Sequence, residues 1–230
     1  MKKIILPLLS IFLFISAYSQ QIYKYDLIDF YNYAGYLEQS KSNALKYDDI
    51  KGSPYLQDAF IPGRIYLTSG SYYDGVPLRY NVYDDHIEFQ NKDGIAYYLD
   101  NPAEFSQITI GDDTFIHSMY IDENNHQMEG YFSLIEGGKG QLLMKYRILY
   151  REAEEARPFI DPKPARFISA SDEYYIRVND HKALCVKGDK PILDALADHS
   201  KEVKAYIKEN KLKSRKKDDL IKIIKFYNTL

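Results

Sequence analysis

Two clusters carry the side chains that metal chemistry uses: Asp84-Asp85-His86, and Asp122-Glu123 with His126. Each lies in an Asp/Asn-dense stretch that reads as a turn, where such side chains bond the neighbouring backbone. The second also lacks the alternating acidic spacing and closing Glu of a calcium loop, so no metal is expected at either. Cys185, the single cysteine, stands in the apolar run Lys182-Ala183-Leu184-Cys185-Val186. His181 is four positions away, roughly 13 Å along an extended strand, too far for a nucleophile–base pair, so the thiol reads as a small buried hydrophobe. His117, flanked at i±2 by Phe115 and Met119, reads as a buried histidine with one hydrogen-bond partner. The chain has no Gly-x-Ser-x-Gly elbow, Gly-rich phosphate loop, His-Glu-x-x-His helix or dinucleotide fingerprint. None of its 33 Asp and Glu residues stands out as a carboxylate pair for glycoside hydrolysis. No catalytic residue, metal or cofactor is assigned.

Two other groups suit binding. Tyr72, Tyr73, Tyr80 and Tyr83, joined by Tyr97, Tyr98 and Arg79, crowd one part of the chain and are expected to line a concave sheet face for an elongated glycan or peptide. The alternative is tyrosines with buried rings and wet hydroxyls, and the absence of tryptophan weighs against the glycan. Lys211, Lys213, Arg215, Lys216 and Lys217 form a basic loop that suits an acidic partner, or simply a solvated helix exit. From Ser200 to Leu230 ten basic residues face four acidic ones, whereas the chain as a whole carries a net charge of −3. An acidic body thus carries a basic tail. The aromatic residues are not interleaved with the basic ones as a nucleic-acid stacking surface requires, so nucleic acid is not an expected partner.

The elements that must position these residues follow from composition and pattern. A chain of 230 residues, 45% hydrophobic and 27% charged, is an ordinary globular composition that excludes disorder and collagen. From Arg64 to Val186 short alternating stretches are separated by turn residues at Asp84-Asp85, Asn91 to Gly94, Gly111 to Asp113, Asp122 to Asn125 and Gly137 to Lys139. About ten strands are counted, including a hairpin through Asn179-Asp180. Pro158, Pro162 and Pro164 mark Arg151 to Ala165 as a connection. Asp189-Lys190-Pro191 opens a helical region, with Asp189 expected as a cap. Its stripes are Val203, Tyr206 and Ile207, then Leu220, Ile223, Ile224 and Tyr227. The expected class is α+β, mainly β: an antiparallel meander forming a curved sheet, barrel or sandwich, with two or three C-terminal helices packed on it. The divisions are an N-terminal segment over 20–51 holding a helix near Asp26 to Glu38, a β-rich region over 52–188, and a helical region over 189–230 docked on the same domain.

Lys2 and Lys3, an apolar run from Ile4 to Ile15 and the small residues of Ala17-Tyr18-Ser19 form a signal peptide over 1–19, with cleavage before Gln20. The apolar run is about 12 residues, whereas a bilayer span needs roughly 20. No membrane span is expected, and the mature chain is expected in the periplasm or outside the cell.

Further motifs carry a resemblance. Ser53-Pro54-Tyr55-Leu56 with Asp58 and Phe60, Gly63-Arg64-Ile65-Tyr66, and Val76-Pro77-Leu78-Arg79-Tyr80-Asn81 with Glu88-Phe89 resemble secreted β-rich proteins of the Bacteroidota. So do Tyr206-Ile207-Lys208, Asn210 to Lys213, and Asp219-Leu220 with Tyr227-Asn228. The resemblance runs from about Gly52 to the end; it implies a Gram-negative envelope location and brings no catalytic residues. The expected function is a secreted envelope binding or protein-interaction module without catalytic activity, with an envelope protein or glycan as partner. The alternative is a hydrolase of an envelope or dietary polymer, acting through a carboxylate pair that the sequence does not locate.

Overall fold

The computed structural model describes residues 22–40, 47, 50–156 and 161–230; the expected signal peptide lies outside them. Strand β1 (Lys24–Tyr25) leads into helix α1 (Leu27–Ser40). Then come β2 (Ile61–Leu67), β3 (Tyr72–Asn81), β4 (His86–Gln90) and β5 (Ala96–Tyr98). They are followed by β6 (Phe105–Ile110), β7 (Asp113–Ile121), β8 (Gln127–Glu136) and β9 (Gly140–Lys145). The strands β10 (Ile148–Arg151) and β11 (Arg166–Ser169) pair with each other as a separate two-stranded sheet at the two ends of the proline-rich connection, and Arg166 also bridges to Lys51. After them β12 (Glu173–Val178) and β13 (Ala183–Cys185) form a hairpin through Asn179 and Asp180. The class is α+β and mainly β, as the alternation predicts.

The main sheet runs β13-β12-β9-β8-β7-β6-β2-β3-β4-β5, with β1 added in parallel to β3. Its first five strands close on themselves, because β13 also pairs in parallel with β7 through Ala183–Tyr120 and Leu184–Ile121. One end of the sheet is therefore a small barrel, and the other is a curved sheet that embraces α1. Closure pairs the edge that β13 would otherwise leave bare, while β5 remains the edge at the other end.

Three cores follow from this arrangement. Ile116, Tyr120, Phe132, Leu143, Tyr175 and Ala183 fill the barrel. Phe30 and Ala34 of α1 pack against Ile65, Leu78, Phe89 and Ile108 of the curved sheet. On the outside of the barrel, Leu142 and Ile176 are covered by the C-terminal helices α2 (Asp189–Ala195), α3 (Ser200–Glu209) and α4 (Lys217–Tyr227). The stripe Leu220, Ile223, Ile224 and Tyr227 is wholly buried there. Asp189 occupies the first turn of α2 and makes no side-chain cap bond; Gly188, at φ 110°, precedes it instead. Among the described residues no helix is long and apolar enough to cross a membrane.

Candidate ligand cleft

A cavity of about 750 Å³ opens where the barrel wall is incomplete. One edge of β7 pairs with β8 from Phe115 to Ile121. Its other edge is shared: Asp113 to Phe115 pair with β6, and Tyr120 and Ile121 pair with β13. Between these two partners residues 116–119 have no strand beside them on that edge. On the facing side β12 continues past the end of β13, whose pairing with it covers only Tyr175 and Ile176. His117, Ser118 and Met119 thus look across a gap at Arg177 and Val178, while Asp180, His181 and Lys182 of the hairpin and Asp194 and Ala195 of α2 form its rim. A cleft of this size, part apolar and part polar, suits a small molecule.

Arg177 bridges the gap. Its Nε donates to Gln141 Oε1 at 2.7 Å, and its Nη1 donates to Ser118 Oγ at 3.3 Å. Both acceptors are neutral. The guanidinium is half-buried, and desolvation draws its pKa below the usual arginine value, with Asp180 acting in the opposite sense. It remains charged at neutral pH, since free guanidinium titrates only above about 12. Among the described residues Arg177, part of the cleft lining, makes no ion pair, and its second terminal nitrogen has no protein acceptor. Lys182, by contrast, is exposed and donates to Gln127 Oε1 at 2.5 Å.

His117 packs edge-on against the Tyr131 ring, with centroids 5.0 Å apart. Burial lowers its pKa; Glu129 and Asp85 raise it, and Lys145 and His86 lower it further. The imidazole is therefore neutral near pH 7. Cys185 points to the barrel interior with Leu134, and burial pushes its thiol pKa up, which suppresses the nucleophilic thiolate.

A charge pair lies against the rings of the barrel core. Asp85, at φ 57° in the β3–β4 turn, reaches Lys145 Nζ at 2.7 Å and accepts from the Tyr80 hydroxyl at 2.6 Å. Lys145 also donates to the Tyr131 carbonyl and lies 4.8 Å from the Phe132 ring centroid. Gly130 makes room: a Cβ there would stand 2.0 Å from Asp85 Oδ2. The Tyr131 hydroxyl beside this pair is, among the described residues, the buried side-chain polar atom without a hydrogen-bond partner.

The tyrosines and the arginine expected to share a concave face are not brought together. Gly75, at φ 75°, is an extra residue in β3 between Asp74 and Val76, the partners of Arg64 and Gly63. This bulge resets the alternation. Tyr73 consequently turns inward against Phe30 and Tyr33, while Tyr72 stacks beside Tyr66 under Arg64. Tyr80 is a core residue, 1% exposed. Tyr83 leaves the strand to join Tyr47, Tyr150 and Phe167. Tyr97 stacks on Phe89. Arg79 lies between the rings of Tyr55 and Phe60, at 3.7 and 4.3 Å, and bonds Glu88, the Tyr55 hydroxyl and the Asp58 carbonyl. Its charge is answered within the fold. Burial raises the Glu88 pKa while Arg79, 2.7 Å away, opposes that rise.

The turn clusters are likewise occupied locally. Asp84 accepts from the hydroxyls of Tyr47 and Tyr98, and Asp122 accepts from the backbone N–H groups of Asn124 and His126. Among the described residues no group of three His, Cys, Asp or Glu side chains is placed to hold a metal ion. Lys211, Lys213, Arg215 and Lys216 lie exposed between α3 and α4, whereas Lys217, also exposed, is the first residue of α4 rather than part of the loop.

Sequence reasoning did not select Arg177. Its one signal was a charge alternating with Tyr175 on a strand whose neighbours, Ile176 and Val178, are apolar. His117 and His181 stand apart in the sequence, and their common cavity depends on residues some 60 positions apart meeting at an incomplete wall. Against this geometry, no protein-family profile, curated protein or solved structure matches the chain.

Proposed function

We propose that the protein is a secreted, non-catalytic binding module of the bacterial envelope, and that it holds its ligand in the cleft between β7, β12 and α2. The observation that carries this reading is Arg177, a half-buried guanidinium with neutral protein partners and unused donors in the lining of a 750 Å³ cavity. A charge kept partly out of bulk water without a direct ion pair is costly; Asp180 offsets part of that cost from the rim, and a ligand anion on the guanidinium offsets more. The carboxyls that burial pushes up, Glu88 and Asp172, lie outside the cleft lining. A general acid needs such a raised value at the point of reaction, so the cleft favours holding over hydrolysis. The signal peptide and the resemblance to secreted proteins of the Bacteroidota support the location.

A thermal-shift screen of acids, sugars and short peptides tests the reading, run on the wild type and on Ala195→Trp, which fills the cleft mouth. Binding at about 100 times Kd stabilises by roughly 2.7 kcal/mol, a shift of several degrees. The expected hit stabilises the wild type and is lost in Ala195→Trp. Hits that stabilise both proteins equally overturn the cleft as the site.

The exposed basic loop supports a second surface, for an acidic envelope protein. Charge reversal at Lys213, Lys216 and Lys217 is expected to abolish that partner's capture and to leave cleft ligands unaffected.

A further inference from the structure

Resting on that reading, we infer that the cleft takes a singly charged amphiphilic carboxylate, with its head on Arg177 and its apolar body along Met119, Ile121, Val178 and Leu184.

The head group follows from the donors. Arg177 is held in place by Gln141 and Ser118, so its planar fork is already oriented when a ligand arrives. A carboxylate matches that fork with two parallel hydrogen bonds. The number of charges follows from the rim. Arg177 and Lys182 face Asp180 and Asp194, so the arginine, lysine and carboxylate charges of the lining sum to zero. A dianion such as a phosphomonoester doubles its attraction to Arg177 and its repulsion from Asp180 and Asp194 alike, and it brings a second charge to desolvate with no second guanidinium to answer it; a monoanion is matched one to one. A cation meets Arg177 directly.

The body follows from what the cleft leaves in water. Met119 is 44% exposed at the unpaired edge of β7, a large apolar side chain in the middle of the opening. Its unbranched thioether adapts to a flexible chain. Val178 and Leu184 continue the apolar surface on the facing side. Each methylene buried there contributes roughly 0.8 kcal/mol, so affinity depends on chain length as well as on the head.

Isothermal titration of the purified protein with decanoate, decanol, decyl phosphate and decyltrimethylammonium tests this. Decanoate is expected to bind one per chain and to lose roughly 10- to 100-fold in affinity in Arg177→Gln, the weight of charge-assisted hydrogen bonds. Arg177→Lys is expected to recover part of that loss. Met119→Glu changes an exposed position and sets a carboxylate in the apolar path; it is expected to weaken decanoate while leaving the near-ultraviolet circular dichroism unchanged. Decanol is expected to bind the wild type no better than decanoate binds Arg177→Gln. Equal decanoate affinity in the wild type and Arg177→Gln overturns the assignment, as does tighter binding of decyl phosphate or decyltrimethylammonium. If decanoate fails while other compounds still lose their stabilisation in Ala195→Trp, the ligand class falls and the cleft stands. If no compound distinguishes Ala195→Trp from the wild type, both fall.

Discussion

Two arginines of one sheet have opposite situations, and the difference is what each meets. Arg79 is sandwiched by two rings and ion-paired to Glu88, which is 0% exposed. Removing it leaves a carboxylate buried without its counter-charge. Arg79→Ala is therefore expected to cost about 3 kcal/mol or more of stability in urea denaturation, and Arg79→Lys to cost less while still losing the planar stack. Any ligand lost in Arg79→Ala is lost through unfolding. Arg177→Gln, with no carboxylate left behind, is expected to unfold within about 1 kcal/mol of the wild type. His117 gives the pH dependence. Its folded pKa lies below the unfolded value of about 6.5, so on acidification the unfolded chain takes up the proton first. Stability from this group is present above pH 6.5 and is lost as pH falls from there toward the folded pKa. Urea midpoints at pH 7.5 and 5.5 are expected to differ more in the wild type than in His117→Gln; an equal difference would refute the account.

Elements were legible where one period held and their length allowed it. The buried stripe of α4 and the alternation of Leu78, Tyr80 and Val82 lie where the sequence pattern puts them. Two features defeated the pattern. The Gly75 bulge shifts the phase of β3 by one, so Tyr72 and Tyr73 could not be placed on a face by counting back from Leu78. β13, the strand that closes the barrel, is three residues long, too short to display any period. The cleft was illegible for the same reason, since it exists only where β13 stops. The joint between α4 and the barrel is equally invisible in the pattern. Asn228 accepts from the Gly140 N–H at 2.7 Å and donates to the carbonyls of Gly137 and Gly140, each at 2.9 Å. Asn228→Ala leaves the Gly140 amide without that acceptor at a buried position, an expected loss of about 1–3 kcal/mol. The check is faster amide exchange at Gly140 together with the lowered urea midpoint.

Across the whole molecule the cores share walls. In β9 Leu143 points into the barrel and Leu142 under the helices; in β12 Tyr175 and Ile176 divide in the same way. Neither layer retains its packing when the other melts. Calorimetry is expected to show one transition with matching van't Hoff and calorimetric enthalpies, and a chain ended at Gly188 is expected to aggregate rather than fold, because Leu142 and Ile176 then face water. Two separate transitions would show that the helices are an independent appendage. The shared edge of β7 also imposes a schedule on synthesis. The polypeptide emerges from its N-terminus, and β7 and β9 are complete by Lys145, yet the strands that cover their bare edges arrive only with residues 173–185. Throughout that interval the half-built sheet offers other chains a template for pairing. The ring seals when Ala183 meets Tyr120, so the segment that finishes the barrel also ends the period in which the nascent protein is most prone to associate with its own copies.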